Sequence, residues 1–156
     1  LTMTENTVAV LTPAVIGHQT PKFDVEVEKG RLRLFAKAIG ERNPIYFDEA
    51  AAIAAGYASI PVPPTFFFCL EMERDEPYDW FHTLGIPLPK VLHGEQNFTY
   101  HRTACAGDIL SFRGEVMDVY AKKGGALEFL VHRNFVSAHD GTPVAEFDRT
   151  LVIRHD

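Results

Sequence analysis

Little in this sequence offers a covalent or metal staple. Cysteine occurs only twice, at Cys69 and Cys105. The pair lacks the spacing of a redox or zinc motif, so a reducing, cytoplasmic setting is expected. Long apolar runs are missing too. The longest, Thr65 to Leu70, is far short of the roughly 20 residues that a bilayer-spanning helix needs. No secretory leader is visible, and no membrane partner is expected. Positive charge is scarce: 15 Lys and Arg face 21 Asp and Glu, for a net charge of −6. With no basic stripe, nucleic acid is not an expected partner. There is no Gly-rich phosphate loop, no Gly-x-Ser-x-Gly elbow and no Cys–His nucleophile pattern. His93 and His101 stand outside metal-ligand spacing, and no carboxylate joins them in a recognisable motif. Neither a metal nor a cofactor is expected.

What is present is a core. Of 156 residues, 46% are hydrophobic, enough for one domain over residues 1–156. A chain of this size buries roughly 70% of its unfolded surface and needs no staple. Residues 1–20 carry no period and read as an N-terminal arm broken by Pro13 and Gly17, with Pro21 just beyond it. Phe23, Val25 and Val27 alternate with acids, as in a short strand. Leu32, Phe35, Ala36 and Ile39 form one helical stripe, with Gly40 as its left-handed stop. Asp48 is placed to cap a short helix ending at Gly56. Proline suits a helix's first turn, so another helix is expected near 64–72, apolar all round and therefore buried. Residues 71–89 read as an irregular excursion broken by Pro77, Gly85, Pro87 and Pro89.

The remainder alternates like strands. Phe98 and Tyr100 mark one. Leu110, Phe112 and Val116 mark a second, with Gly114 as a candidate bulge. Phe129, Val131 and Phe135 mark the apolar face of a third, and Ala145, Phe147, Leu151 and Ile153 that of a fourth. Turns at Gly107-Asp108, Lys122–Gly125 and Asp140-Gly141 connect them. Arg149 interrupts the last face, either snorkelling to water over an apolar stem or contacting a cofactor phosphate. Arg102, Arg113, Lys122, Lys123 and Arg133 read as surface charges, any few of which suit a pyrophosphate. Helices segregated on one face of an antiparallel sheet make an α+β architecture.

Between the first two helices lies Gly40-Glu41-Arg42-Asn43-Pro44-Ile45-Tyr46, a forced break carrying an acid, an amide and a phenol. The run FAKAIGERNPIYFDEAAAIAAGYASIPVPPTF and the later run VLHGEQNFTYHRTACAGDIL resemble the MaoC-like hydratase/dehydratase family, in its N-terminal-domain branch. The likeness extends over most of residues 20–155. It implies a single hot-dog fold, with an antiparallel sheet wrapped around the helix near 64–72. It also implies acyl thioesters of coenzyme A or acyl carrier protein as substrates, with (R)-specific hydration of an enoyl thioester or dehydration of a 3-hydroxyacyl one. A homodimer, or a heterodimer with a second hot-dog subunit, is the implied assembly.

That chemistry needs a base, an acid and donors for an enolate-like oxygen. Active members resembling this chain read Gly-Asp-x-Asn-Pro-aliphatic-His across the break. Here Glu41 holds the Asp position and Tyr46 the His position. An ordinary phenol has a pKa of about 10, against about 6.5 for imidazole, so Tyr46 donates well and accepts protons poorly. The expected catalytic residues are the altered pair Glu41 and Tyr46, with His93 as a substitute imidazole beside Glu95 on one strand face. Asn43, Pro64, Thr65 and Phe66 are the expected substrate-binding residues, the last two through backbone N–H groups at a helix start. Three functions stay open. One is a hydratase or dehydratase. The second is a non-catalytic acyl-binding subunit serving an Asp/His-bearing partner. The third is a hot-dog thioesterase.

Overall fold

The computed structural model describes residues 11–155; the first half of the expected arm lies outside the described residues. After a 3-10 turn at Pro13–Val15, strand β1 runs over Gln19–Glu26. It starts before the expected Phe23 and includes Pro21. Proline is tolerated because β1 is an edge strand whose register slips between Thr20 and Phe23. Helix α1 (Lys29–Ala38) stops at Gly40, whose φ of +74° is the left-handed cap the sequence called for. Helix α2 (Glu49–Ala54) is capped by Asp48, which accepts from Ala50 N at 2.9 Å. Helix α3 (Phe66–Glu71) is the expected buried helix. The excursion holds a further helix, α4 (Asp79–Thr83), that buries Trp80 and Phe81. One turn of helix is too short to print a period, which is why the sequence reads as irregular there.

Four long strands follow: β2 (Val91–Tyr100), β3 (Ile109–Lys122), β4 (Leu127–Ala138) and β5 (Pro143–Arg154). All pairings are antiparallel, in the order β1-β3-β4-β5-β2. The helices cover one face, so the fold is the expected α+β hot-dog arrangement. Strand β2 is the second edge, and it carries the exposed side chains Leu92 and Tyr100.

The inward face of β4 is the reverse of the expected one. Leu130, His132, Asn134 and Val136 are buried, while Phe129, Val131 and Phe135 lie on the outer face and are only partly covered. The cause is a polar band across the concave side of the sheet. Gly114 of β3 faces Asn134 of β4, and His132 of β4 faces Arg149 of β5. Thr20 of β1 and Glu71 of α3 join them, all buried. The band divides the core. Phe66, Leu70, Phe112, Val136 and Phe147 pack on one side. Trp80, Phe81, Val116, Leu130 and Leu151 pack on the other.

Arg149 therefore does not snorkel. It is 3% exposed, with Nη1 3.7 Å from Glu71 Oε2, because the residues packed over this face leave its head no path to water. Gly114 is not a bulge either; the β3–β4 register shift falls at Val116/Asp118. Its role is close approach, since a Cβ there would overlap His132 Nε2 and Thr20 Oγ1. Gly114→Ala is expected to destabilise the protein by about 1–3 kcal/mol through overpacking, read as a lower urea midpoint with an unchanged slope.

The band also sets a pH dependence. Burial, then the charges of Arg149 and Arg74, hold His132 well below its ordinary value. The unfolded chain thus takes up a proton near pH 6.5 that the folded chain refuses. Stability is full above that pH and falls as pH drops toward the folded value, by up to about 1.4 kcal/mol per pH unit. Glu71, raised by burial, acts with the opposite sign. His132→Gln is expected to flatten the loss, measured as urea midpoints between pH 8 and pH 5.

At one end of the sheet, Glu128 holds two separate parts of the chain. Its Oε1 accepts from Leu11 N at 2.6 Å, and its Oε2 pairs with His155 Nε2.

Candidate functional site

The break after α1 is built by its own polar side chains. Glu41 N donates to Ala36 O at 2.9 Å, closing the helix end. Glu41 Oε1 accepts from Arg42 N at 2.7 Å and Asn43 N at 2.8 Å. Asn43 Oδ1 accepts from Ile45 N at 3.2 Å and starts the 3-10 turn Pro44–Tyr46. Tyr46 thus closes a rigid turn and lines a cleft of about 280 Å³.

Three phenols share that cleft: Tyr46, Tyr57 and Tyr100, beside Pro64, Phe67 and Arg102. Tyr57 is aimed by the chain reversal at Gly56 (φ +96°), with its N–H on Ala52 O at 3.0 Å. Tyr100 Oη donates to Pro64 O at 2.9 Å, tying the end of β2 to the start of α3. The segment before α3 is held by Val62 N on Ala104 O and Ala106 N on Ile60 O, both 2.8 Å.

Electrostatics make this a donor site. Burial raises Tyr46, and Glu41 and Tyr57 raise it further. Burial raises Tyr100 as well. Both stay protonated at neutral pH; the Tyr100 hydroxyl is already given to Pro64 O, whereas Tyr46 offers its O–H to the cleft. The N–H groups of Asn43 and then Arg42 hold Glu41 below the usual carboxylate range. Glu41 is therefore a weaker base than a free carboxylate, and one of its oxygens is already engaged.

The structure brings Glu41, Asn43, Tyr46 and Pro64 to one region. Thr65 is the N-cap of α3 and makes no side-chain capping bond. Phe66 N donates to Pro63 O at 2.9 Å, so this N–H is not free for a substrate oxygen. His93 stands apart. Its ring packs 5.6 Å from Phe68, and it is not among the residues lining the Tyr46 cleft. A register shift between His93 and Glu95 breaks the shared face expected for them. Sequence reasoning did not select Tyr57 or Tyr100 for the site. The signals were a tyrosine directly after a helix-stopping glycine and a tyrosine on the apolar side of a strand. Among the described residues, no three His, Cys, Asp or Glu side chains group as metal ligands. No helix there is long and apolar enough to cross a membrane.

A sheet wrapped around α3, with an Asn-Pro turn opening onto a cleft beside that helix, defines a hot-dog protein of the MaoC-like hydratase/dehydratase kind. The chain belongs to the family described as FAS1-like, dehydratase domain region, whose model matches residues 14–147. A UPF0336 protein of Saccharopolyspora erythraea is 38% identical over 135 residues, covering 86% of this chain and 84% of that protein. A UPF0336 protein of Thermobifida fusca is 34% identical, covering 84% and 85%. Among solved structures, the C-terminally truncated HadBC (3R-hydroxyacyl-ACP dehydratase) complex from Mycobacterium tuberculosis has a TM-score of 0.77. It is 28% identical, with 88% of this chain and 96% of that chain covered. The ChsH1–ChsH2 complex from the same organism has a TM-score of 0.71 at 26% identity, covering 88% and 84%. The (R)-hydratase PhaJ1 from Pseudomonas aeruginosa shares the fold, with a TM-score of 0.65 at 19% identity and coverage of 90% and 83%.

Proposed function

We propose that this chain is the acyl-binding subunit of a hydratase/dehydratase acting on thioesters of coenzyme A or acyl carrier protein. A second hot-dog chain supplies the acid–base pair. The observation that carries this is the state of the two altered positions. Glu41 is held by its own backbone and weakened as a base. Tyr46 is raised above an already high phenol value. A donor-rich, base-poor cleft suits holding a thioester or a 3-hydroxyl better than moving its protons. Strand β2 supports the assembly, because it is a sheet edge of ten residues with no further strand beyond it among the described residues. Such an edge is a template for another chain, and its last residue, Tyr100, lines the cleft.

The purified chain is expected to give no turnover on short enoyl thioesters, and to support turnover when mixed with an Asp/His-bearing hot-dog partner. In that mixture Glu41→Ala is expected to change the rate by less than about twofold, since misplacing a true catalytic group costs roughly a hundredfold. One observation favours a second reading, in which this chain catalyses by itself: Glu41 acts electrostatically on Tyr46, so the two are neighbours. Fast hydration by the chain alone, abolished by Glu41→Ala, would establish that reading and sink the first.

A further inference from the structure

The buried band holds more hydrogen-bonding capacity than it uses. Arg149 Nε and Nη2 are buried without a partner among the described residues, as are Arg74 Nε, Trp80 Nε1 and His132 Nε2. On the acceptor side are both oxygens of Glu71 and Oδ1 of Asn134. Unmade hydrogen bonds of this kind cost about 1–3 kcal/mol each, so native interiors fill them. Donors exceed acceptors, and so does positive charge. Arg149 and Arg74 both act on Glu71, the one carboxylate in the band.

The unpartnered edge of Arg149 is a specific shape. Nε and Nη2 form the side fork of the guanidinium, which matches the two oxygens of a carboxylate. The neighbouring strand shows the fork in use: Arg133 Nε and Nη2 hold Asp148 Oδ1 and Oδ2 at 2.6 and 2.8 Å. On Arg149 the same fork is buried and idle. Glu71 stands at the other nitrogen, Nη1, at 3.7 Å. The flat faces are provided for as well. The guanidinium carbon lies 5.5 Å from the Phe68 ring and 6.0 Å from Trp80, which stacks on His132 at 4.4 Å.

A route leads toward it. A cleft of about 540 Å³ opens between β1 and the segment from α3 to α4, and it shares no lining residue with the Tyr46 cleft. Thr20, Phe23, Arg74 and Trp80 are among its lining residues. Arg74 spans the boundary. It donates to Pro21 O, lies over the Phe23 ring at 4.4 Å, and acts on Glu71 and His132 behind. The acidic side chains of this cleft are partly engaged: Asp24 accepts from Ser111 and Glu73 pairs with Arg31.

We propose that this band is an internal binding site for a carboxylate, gripped by the Nε/Nη2 fork of Arg149 and reached through the cleft that Arg74 closes. The site is separate from the thioester cleft and does not depend on its assignment. The carboxylate belongs either to a small organic acid or to the head of a free acyl chain.

Trp80 is the only tryptophan, so its fluorescence reports this site directly. The full chain at pH 8 is titrated with potassium acetate and, separately, potassium octanoate, with chloride keeping ionic strength constant. Acetamide serves as the neutral isostere. A saturable change with a carboxylate and none with acetamide is the expected result. Tighter binding of octanoate identifies the acyl source, and acetate as tight or tighter identifies the small acid. Arg149→Met is expected to weaken binding at least tenfold, a size set by the loss of a bidentate charged pair. No saturable change with either carboxylate, or an equal response to acetamide, overturns the proposal in the wild-type chain alone, whether or not the variant folds.

Discussion

Replacing Glu41 by Asp and Tyr46 by His together is expected to bring enoyl-thioester hydration by the isolated chain to on the order of 10²–10⁴-fold above the uncatalysed background, the range that a positioned acid–base pair contributes. The scaffold for that pair is already present. Gly40 ends α1 in the left-handed conformation, Asn43 caps the 3-10 turn, and Tyr46 closes that turn facing the cleft. An imidazole at position 46 has an ordinary pKa of about 6.5 and shuttles protons at neutral pH, where the phenol only donates. Aspartate shortens the side chain by one methylene and brings it to the length that active members of the resembling family use. Loss of the enoyl absorbance reads the result. Tyr46→His alone is expected to give the larger part of the gain, because the phenol is the more disabling change. A rise below about tenfold over that background in the double variant would mean that the scaffold does not present a thioester to position 46, since general acid–base catalysis contributes at least about a hundredfold.

Arg149→Met is expected to lower the unfolding free energy by about 3–5 kcal/mol, the cost of leaving one partner of a buried ion pair uncompensated. Glu71 is the partner, fully buried and already raised by burial. Arg74 still acts on it, and it escapes the rest of the penalty by taking up a proton. The deficit is therefore larger at pH 8 than near pH 5, and comparing urea midpoints at the two values tests this sign. Replacing both partners, as Glu71→Leu with Arg149→Met, is expected to recover most of the loss, because apolar side chains of similar volume often replace a buried pair without cost. A single variant as stable as the wild type would mean that Arg149 does not compensate Glu71.

The sequence was legible where backbone chemistry is local. Gly40, Asn43, Asp48 and Gly56 each act within a few residues, and each sits where its conformational preference required. The family likeness rests on this punctuation. It was less legible where a tertiary contact decides. His132 and Asn134 read as the wet side of β4 because polar residues usually face water; here His132 faces a buried arginine, and Asn134 Nδ2 lies 3.4 Å from His132 Nδ1. The same contact turned Arg149 from an apparent surface group into an interior one. Gly114 read as a bulge because nothing nearby in sequence shows that His132 and Thr20 close over it. At the site, the turn that places Tyr46 was readable. Tyr57 and Tyr100 were not, since they converge on that cleft from a different helix end and a distant strand.

Glu128 has a practical consequence for engineering. Because one carboxylate touches both position 11 and position 155, a short linker between them would add little chain and bury nothing new. The exposed hairpin at Asp140-Gly141, held by Thr142 N on Asp140 Oδ1 at 2.9 Å, offers a place to reopen the chain. Circular permutation at that hairpin would leave each of the five strands whole and place new termini on exposed backbone. The molecule could then be fused to a partner at a point of the designer's choosing.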